Sequence, residues 1–504
     1  MSLLGIHVGA EGVTAGVFDI EGCVLGRGSA AYRAESPEAG VSEVWMDAVW
    51  DVLKTAVGQA LSGTSETVTA MSLAVRGDAS VSIDREGRPL GPSILPDDAQ
   101  ADAAAREFHE RFSPIEVMRL TGMPPVSTSR LVRLLWLKTA RPDVYDATWK
   151  FMGWHEYLAN RLGLGPVTDP SLAGRTQMFD IVNRVWAEPL IDAAGIDRGR
   201  LPDVRPAGTA LGDISRRAAE ELGLPAHVRF VVGGYDAAVS ALGVGAVAGG
   251  HVLNATDGVE WFVPALHEPA VDPGMLKNGF ACTPHVVPGM FVSIARNPTG
   301  GGVIAWLAGL LGLAPDSAKA EPDAAPGGER RMLETLLALM DREPTKLFVL
   351  PYFGPSGTPY DDARASGSIV GLDLSTTRGT LARAAVEGLA LEMKLNATLL
   401  GESLIRLNEV NVTGAPARSR EWCQIKADVL GLPVRRHPGI DAAALGAAML
   451  AGIGTGVYEN TVGAVEFCVN PEDVLHPNGD RTDFYAKKFE GYRRLYPALR
   501  DIVR

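Results

Sequence analysis

Residues 5–19 read GIHVGAEGVTAGVFD. Apolar residues alternate up to Val8, a turn with Gly9 and Gly12 follows, and alternation resumes through Phe18. This is the pattern of a β-hairpin whose glycine-bearing turn can cradle a phosphate. Glu11 disturbs that reading, because a carboxylate in the turn would repel an anion. His7 on the first strand is a second unusual feature.

Working outward, residues 3–9, 13–20 and 23–32 form three alternating segments separated by GAEG and Glu21-Gly22, which predicts an antiparallel meander. A helix follows in VWMDAVWDVLKTAVGQAL, then a buried strand in VTAMSLAV and a hairpin in SVSID with REGRPL. Residues 99–163 read as mostly helical, broken by MPPVSTS, and RFVVGGYD returns to a strand that ends at a glycine pair. After Gly250 the style restarts. HVLNATDGVEWFV is strand-like with a central turn, GGVIAWLAGLLGL is helical, KLFVLPYF is a strand, and GTLARAAVEGLALEMKLNATLL is a long helix. NEVNVTG, REWCQIKADVLG and AAALGAAMLAGIGTG then read as strand, helix and small-residue helix. Two halves built alike predict two α/β lobes, 1–247 and 248–504.

A chain of 504 residues is too long for one ordinary core, in keeping with two lobes. Its formal charge of −13 argues against nucleic acid or an anionic membrane as partner. Cys23, Cys282, Cys423 and Cys468 lie far apart without metal-ligand spacing, which predicts free thiols in a reducing compartment. The N-terminus lacks a signal-peptide pattern, and the most apolar stretch, Ala237 to Val252, is shorter than the ~20 residues needed to span a bilayer. A cytoplasmic location is expected.

Several separated segments resemble the FGGY carbohydrate kinases and occur in the family's order. They are LPDVRPAGTALGDISRRAAEELGLP with VVGGYDAAVSALGVGA, then PYFGPSGTPYDDARASGSIVGLDLSTTRGTLARAAVEG, and finally WCQIKADVLGLPV with ALGAAMLAGIGTG. The resemblance implies a two-lobed actin-like ATPase (ribonuclease H-like) fold, mixed sheets flanked by helices around a cleft. It also implies phosphorylation of a sugar or polyol with ATP and Mg²⁺. The wording GTPY with ARASGSIVGL is most similar to the xylulose and other pentulose kinases, which makes a ketose such as xylulose the expected substrate. A homodimer is one assembly the family permits.

Asp236 matches the family's catalytic aspartate and stands where a strand ends, although a lone GGxD also fits an aspartate capping the next helix. It is the expected general base and a magnesium ligand, with Tyr235 beside it as a substrate contact. Asp78 in AVRGDASVSID and Asp98 in SILPDDAQA are the expected acceptors for sugar hydroxyls. Gly9, Glu11, Thr256 and Gly300-Gly301-Gly302 fall near phosphate, and Gly414-Ala415-Pro416 beside adenosine. Here the chain departs from the family. His7 stands in the place of a metal-binding aspartate, Ala10 and Glu11 replace hydroxyl residues, Asp257 adds an acid, and Pro416 removes an amide donor. These changes define an alternative, a catalytically degenerate member that binds sugar or nucleotide without phosphoryl transfer.

Overall fold

The computed structural model describes residues 1–504 except 39, 96–98, 257, 314–327 and 504. The opening meander forms as β1 (Ser2–Val8), β2 (Gly12–Phe18) and β3 (Val24–Ala31), followed by α1 (Met46–Ser62) and β4 (Val68–Val75). A run of short helices separates these from β5 (Arg229–Tyr235) and α2 (Asp236–Gly243). β4 lies parallel to β1, and β5 parallel to β4, so Val8, Val75 and Tyr235 end at one level of the sheet. SVSID turns back as a short hairpin, with Asp84 N–H donating to Arg88 C=O at 3.0 Å, Leu90 N–H to Ser82 C=O at 2.9 Å and Ile83 bridging Pro89, while Val81–Ile83 also pairs with Lys150–Met152, where the apolar side chains of both strands bury.

The second half repeats the plan. β6 (His251–Thr256) and β7 (Glu260–Leu266) make a hairpin, β8 (Phe291–Asn297) pairs with β7, and α3 (Gly300–Leu310) follows. After the 25-residue helix Arg378–Glu402 come β9 (Glu409–Gly414), α4 (Arg420–Leu430) and β10 (Val434–Arg436). β9 is parallel to β6 and β10 to β9. The core strands of the two sheets therefore run β3-β2-β1-β4-β5 and β8-β7-β6-β9-β10, one order used twice. Helix-flanked mixed sheets in this duplicated order are the actin-like ATPase fold implied by the sequence.

The last element that matters is α5 (Ala442–Gly454), which leaves the second sheet and lies on the first. The period of two along β1 explains how it docks. Leu4, Ile6 and Val8 share a core with Val49, Trp50 and Leu53 of α1, whereas Leu3 packs with Ala444, Leu445 and Ala448 of α5. Gly5 lies on the α5 side, where a Cβ would sit 1.8 Å from the carbonyl oxygen of Ala444. The small residues of AAALGAAML permit this backbone approach. Gly446 similarly lets α5 press on Val239 of α2, where a Cβ would meet a carbonyl oxygen at 2.1 Å.

All four cysteines are free thiols. Among the described residues no helix is long and apolar enough to cross a membrane.

Candidate active site

Parallel strands collect their C-terminal ends, and in open α/β sheets ligands bind beyond those ends. In the first sheet this gathers the 9–12 turn, Arg76-Gly77-Asp78 and Tyr235-Asp236. The turn is closed by Gly9 N–H donating to Gly12 C=O at 2.9 Å. Tyr32 holds it from β3's end, its hydroxyl donating to the Gly9 carbonyl and its N–H to that of Glu11. The Glu11 side chain is exposed.

His7 shares its face of β1 with Gly5, so it points toward α5. Its Nε2 lies 3.7 Å from Asp236 Oδ2 and its Nδ1 3.9 Å from Asp441 Oδ1. Asp236 is the first residue of α2 and accepts the Ala237 N–H at 2.8 Å, leaving its other oxygen toward His7. Asp441 caps α5 by accepting the Ala444 N–H at 2.9 Å. Sequence reasoning missed Asp441. As an N-cap before a small-residue helix it was readable, but its arrival at the first sheet was not.

This set bears on the expected Mg²⁺. Two partly exposed carboxylates, one from each half, suit a hard cation, and Mg²⁺ is commonly held by one or two carboxylates with phosphate and water. The imidazole between them supplies no oxygen. Beside His7 and Asp236, Asp441 is therefore a further residue that could hold the cation. Among the described residues no cluster of three or more His, Cys, Asp or Glu could hold a metal by itself, so nucleotide oxygens would have to complete the shell.

Beside Asp236 a small cavity is lined by Arg76, Asp78, Arg130, Trp154, Glu156 and Arg175. Asp78 is largely buried and pairs with Arg175 at 2.7 Å, and Arg130 pairs with Glu156 at 3.0 Å. Asp78 adopts a left-handed φ of 66°, an uncommon conformation for a non-glycine residue, and its carbonyl accepts from Arg133. The Arg175 guanidinium also lies 5.2 Å from the ring centroid of Tyr235, itself buried. Four buried polar atoms of this lining lack a partner: Asp78 Oδ1, Glu156 Oε2, Arg130 Nε and Arg175 Nε. Two acceptors and two donors left open suit hydroxyl groups, which both donate and accept. Arg175 and Arg130 had no signal in the sequence, since only folding brings them to Asp78 and Glu156. Asp98 lies outside the described residues.

In the second sheet Thr256 ends β6 directly beside Gly414, the end of β9. The Thr256 hydroxyl is fully buried and donates to Glu260 Oε1 at 3.2 Å, so at this strand end it is the backbone that faces the turn. Lys426 of α4 buries its ammonium 2.5 Å from the same oxygen and 2.6 Å from Asn254 Oδ1. Gly414 has φ 78° and turns the chain, and the Ala415 N–H donates to Thr256 C=O at 3.0 Å. Pro416 is buried and starts a short 3-10 helix, a position where its missing N–H costs nothing. Gly300 begins α3 and is buried against Glu260, whereas Gly301 and Gly302 remain accessible. The Gly301 N–H donates to Gly258 C=O, tying α3 to the β6–β7 turn. Asp257 lies outside the described residues.

Comparison with known proteins adds the context for this geometry. The model of the FGGY family of carbohydrate kinases, N-terminal domain, matches residues 2–243, and that of the C-terminal domain matches residues 262–455. The chain is 30% identical over 511 residues to an autoinducer-2 kinase of Yersinia enterocolitica, covering 98% of this chain and 94% of the relative. The xylulose kinase of Rhodospirillum rubrum superposes with a TM-score of 0.85 at 25% identity over 100% of both chains. A gluconate kinase from Lactobacillus acidophilus gives a TM-score of 0.86 at 22% identity, over 100% of this chain and 99% of that one. The near full-length relative is itself a kinase, so these likenesses lend no support to the degenerate alternative.

Proposed function

The chain belongs to the FGGY family of carbohydrate kinases, and from that premise we propose that it transfers the γ-phosphoryl group of ATP to a hydroxyl of a small ketose. The observation that carries this reading is Asp236 at the C-terminal edge of the first sheet, its charge acting on Arg175, which lines a small cavity with open donors and acceptors that suit hydroxyls. Xylulose and autoinducer-2 are the first candidates, because the likenesses in structure and in sequence point to kinases of those names. Residues 1–247 would hold the sugar and the base, and 248–504 the nucleotide.

In the proposed reaction the substrate hydroxyl lies between the cavity and Asp236. Its oxygen forms a bond to the γ-phosphorus, the bond from that phosphorus to the β,γ-bridging oxygen breaks, and the proton passes to the Asp236 carboxylate. The Asp78–Arg175 pair holds the sugar from below through Asp78 Oδ1 and Arg175 Nε, with Tyr235 as a wall. Phosphates would meet the backbone of the 9–12 turn beyond Gly9 and the accessible Gly302 in the first turn of α3, where a helix N-terminus favours anions. Adenosine would lie along Gly414, Ala415 and Pro416. Asp236 and Asp441 would hold Mg²⁺, which offsets charge on the β- and γ-phosphates.

The test is ADP release by purified protein with ATP and Mg²⁺ across pentuloses, hexuloses, polyols, gluconate and autoinducer-2. Turnover on a ketose at least about tenfold more efficient than on the other classes is expected. No ADP release above the sugar-free rate with any acceptor would overturn the reading.

A further inference from the structure

We propose that Arg76 is a catalytic residue of this kinase, a guanidinium clamp on the phosphoryl group in flight between ATP and sugar. The inference rests on the kinase reading above and adds a role that the sequence did not suggest.

Position comes first. Arg76 directly follows β4, and its N–H donates to the Val8 carbonyl at 3.0 Å, fixing its Cα beside the root of the 9–12 turn. It lines the cavity with Asp78 and Arg175, and its guanidinium carbon lies 5.7 Å from the ring centroid of Trp154. Its charge acts on the hydroxyl of Tyr32, the group that donates to Gly9 C=O, and Asp236 and Glu11 act on the same hydroxyl. Arg76 thus joins the hairpin, through Tyr32, to the cavity that it lines.

Pairing decides what it is free to do. The cavity's other two arginines are committed, Arg130 to Glu156 and Arg175 to Asp78. Arg76 has no ion pair among the described residues and is half-buried. Its side chain hydrogen-bonds the Tyr32 hydroxyl, and an arginine resting on an aromatic face keeps the rest of its fork of N–H donors for a planar or tetrahedral oxyanion.

Chemistry then supplies the need. In phosphoryl transfer negative charge spreads over the equatorial oxygens, and donors aimed at those oxygens lower the barrier. This hairpin carries Ala10 and Glu11, so its turn offers amides but no hydroxyl donor, and it adds an acid. A cation at Arg76 compensates both losses, balancing Glu11 and donating to the oxygens as they move toward the sugar.

The experiment compares wild type with Arg76→Met and Arg76→Lys. Initial rates over sugar and ATP give kcat and KM, and calorimetry gives the affinity for ADP with sugar, with and without aluminium fluoride as a mimic of the moving phosphoryl group. The expected result is a kcat loss of about 100-fold or more for Arg76→Met with sugar KM within about threefold, and loss of the extra affinity that fluoride gives to wild type. Arg76→Lys should fall between them, and added guanidinium ion should restore part of the Arg76→Met rate. Should Arg76→Met prove unfolded, the lysine variant carries the same comparison. Near wild-type kcat in either variant overturns the proposal, as does a loss confined to sugar KM. If wild type itself releases no ADP, the kinase reading fails separately. The Arg76 assignment then stands if fluoride tightens ADP binding to wild type but not to Arg76→Met, and falls if it does not.

Discussion

The imidazole Nε2 of His7 lies 3.7 Å from the Oδ2 of Asp236. The same ring turns its other nitrogen to Asp441, so a residue in the place of a metal-binding acid instead stands between two acids. An aspartate here would assemble three carboxylates with no built-in counter-charge. We expect His7→Asp to lower the melting temperature without divalent cation, and Mg²⁺ to raise it by several degrees in the variant and far less in wild type. ATP affinity of the variant should become more steeply Mg²⁺-dependent. Equal thermal response of the two proteins to Mg²⁺ would show that position 7 does not bear on a cation.

Asp236→Asn keeps the shape of the side chain, including its acceptor for the Ala237 N–H, but cannot take a proton. Phosphoryl transfer should fall by about 100-fold or more, while sugar affinity stays within about tenfold. Turnover measured by coupled ADP detection and sugar binding measured by calorimetry separate the two effects. A variant that turns over normally would leave Asp236 only its helix-capping contact.

How much of this was legible depends on how far apart in sequence the partners lie. The hairpin at 5–19, the restart after Gly250 and the strand-end position of Asp236 are local patterns, and they held. The partners of Thr256 were not legible, since its hydroxyl shares Glu260 Oε1 with Lys426, 170 residues later along an otherwise apolar helix face. Arg175, Glu156 and Asp441 belong to the same class. Each is an ordinary charged residue in its own segment and gains its meaning only from a neighbour brought by tertiary structure.

The Asp78–Arg175 pair offers a direct check on the cavity. Removing the guanidinium with Arg175→Met strands a buried carboxylate and should destabilise the protein by about 3–5 kcal/mol in urea denaturation. Replacing both, Asp78→Leu with Arg175→Met, should recover much of that stability, since an apolar pair leaves no buried charge. Sugar affinity should stay lost in the double variant. Recovery of sugar binding together with stability would mean that the pair only supports the fold.

A fourth expectation concerns pH. Burial raises the Glu392 carboxyl to about 7, although the hydroxyls of Tyr492 and Tyr352 donate to it at 2.6 and 2.9 Å and favour ionisation. An acid with a raised native pKa binds its proton more tightly folded than unfolded. Its stabilising contribution is therefore full below the unfolded value near 4.5 and is lost as pH rises through about 7. Stability should decline across that window by as much as ~3 kcal/mol from this group. Glu392→Gln should flatten the decline in urea titrations between those pH values. An unchanged slope would remove Glu392 as its source.

The docking of α5 on β1 has a consequence for how the protein is made. Gly5 of β1 is covered by the backbone at Ala444, so the sixth part of the first sheet's layer is encoded more than 400 residues after its first strand. On the ribosome, the early sheet must emerge and wait with its glycine-lined face uncovered until residues 442–454 have been synthesised. A truncation before residue 442 would leave that apolar sheet face open to aggregation.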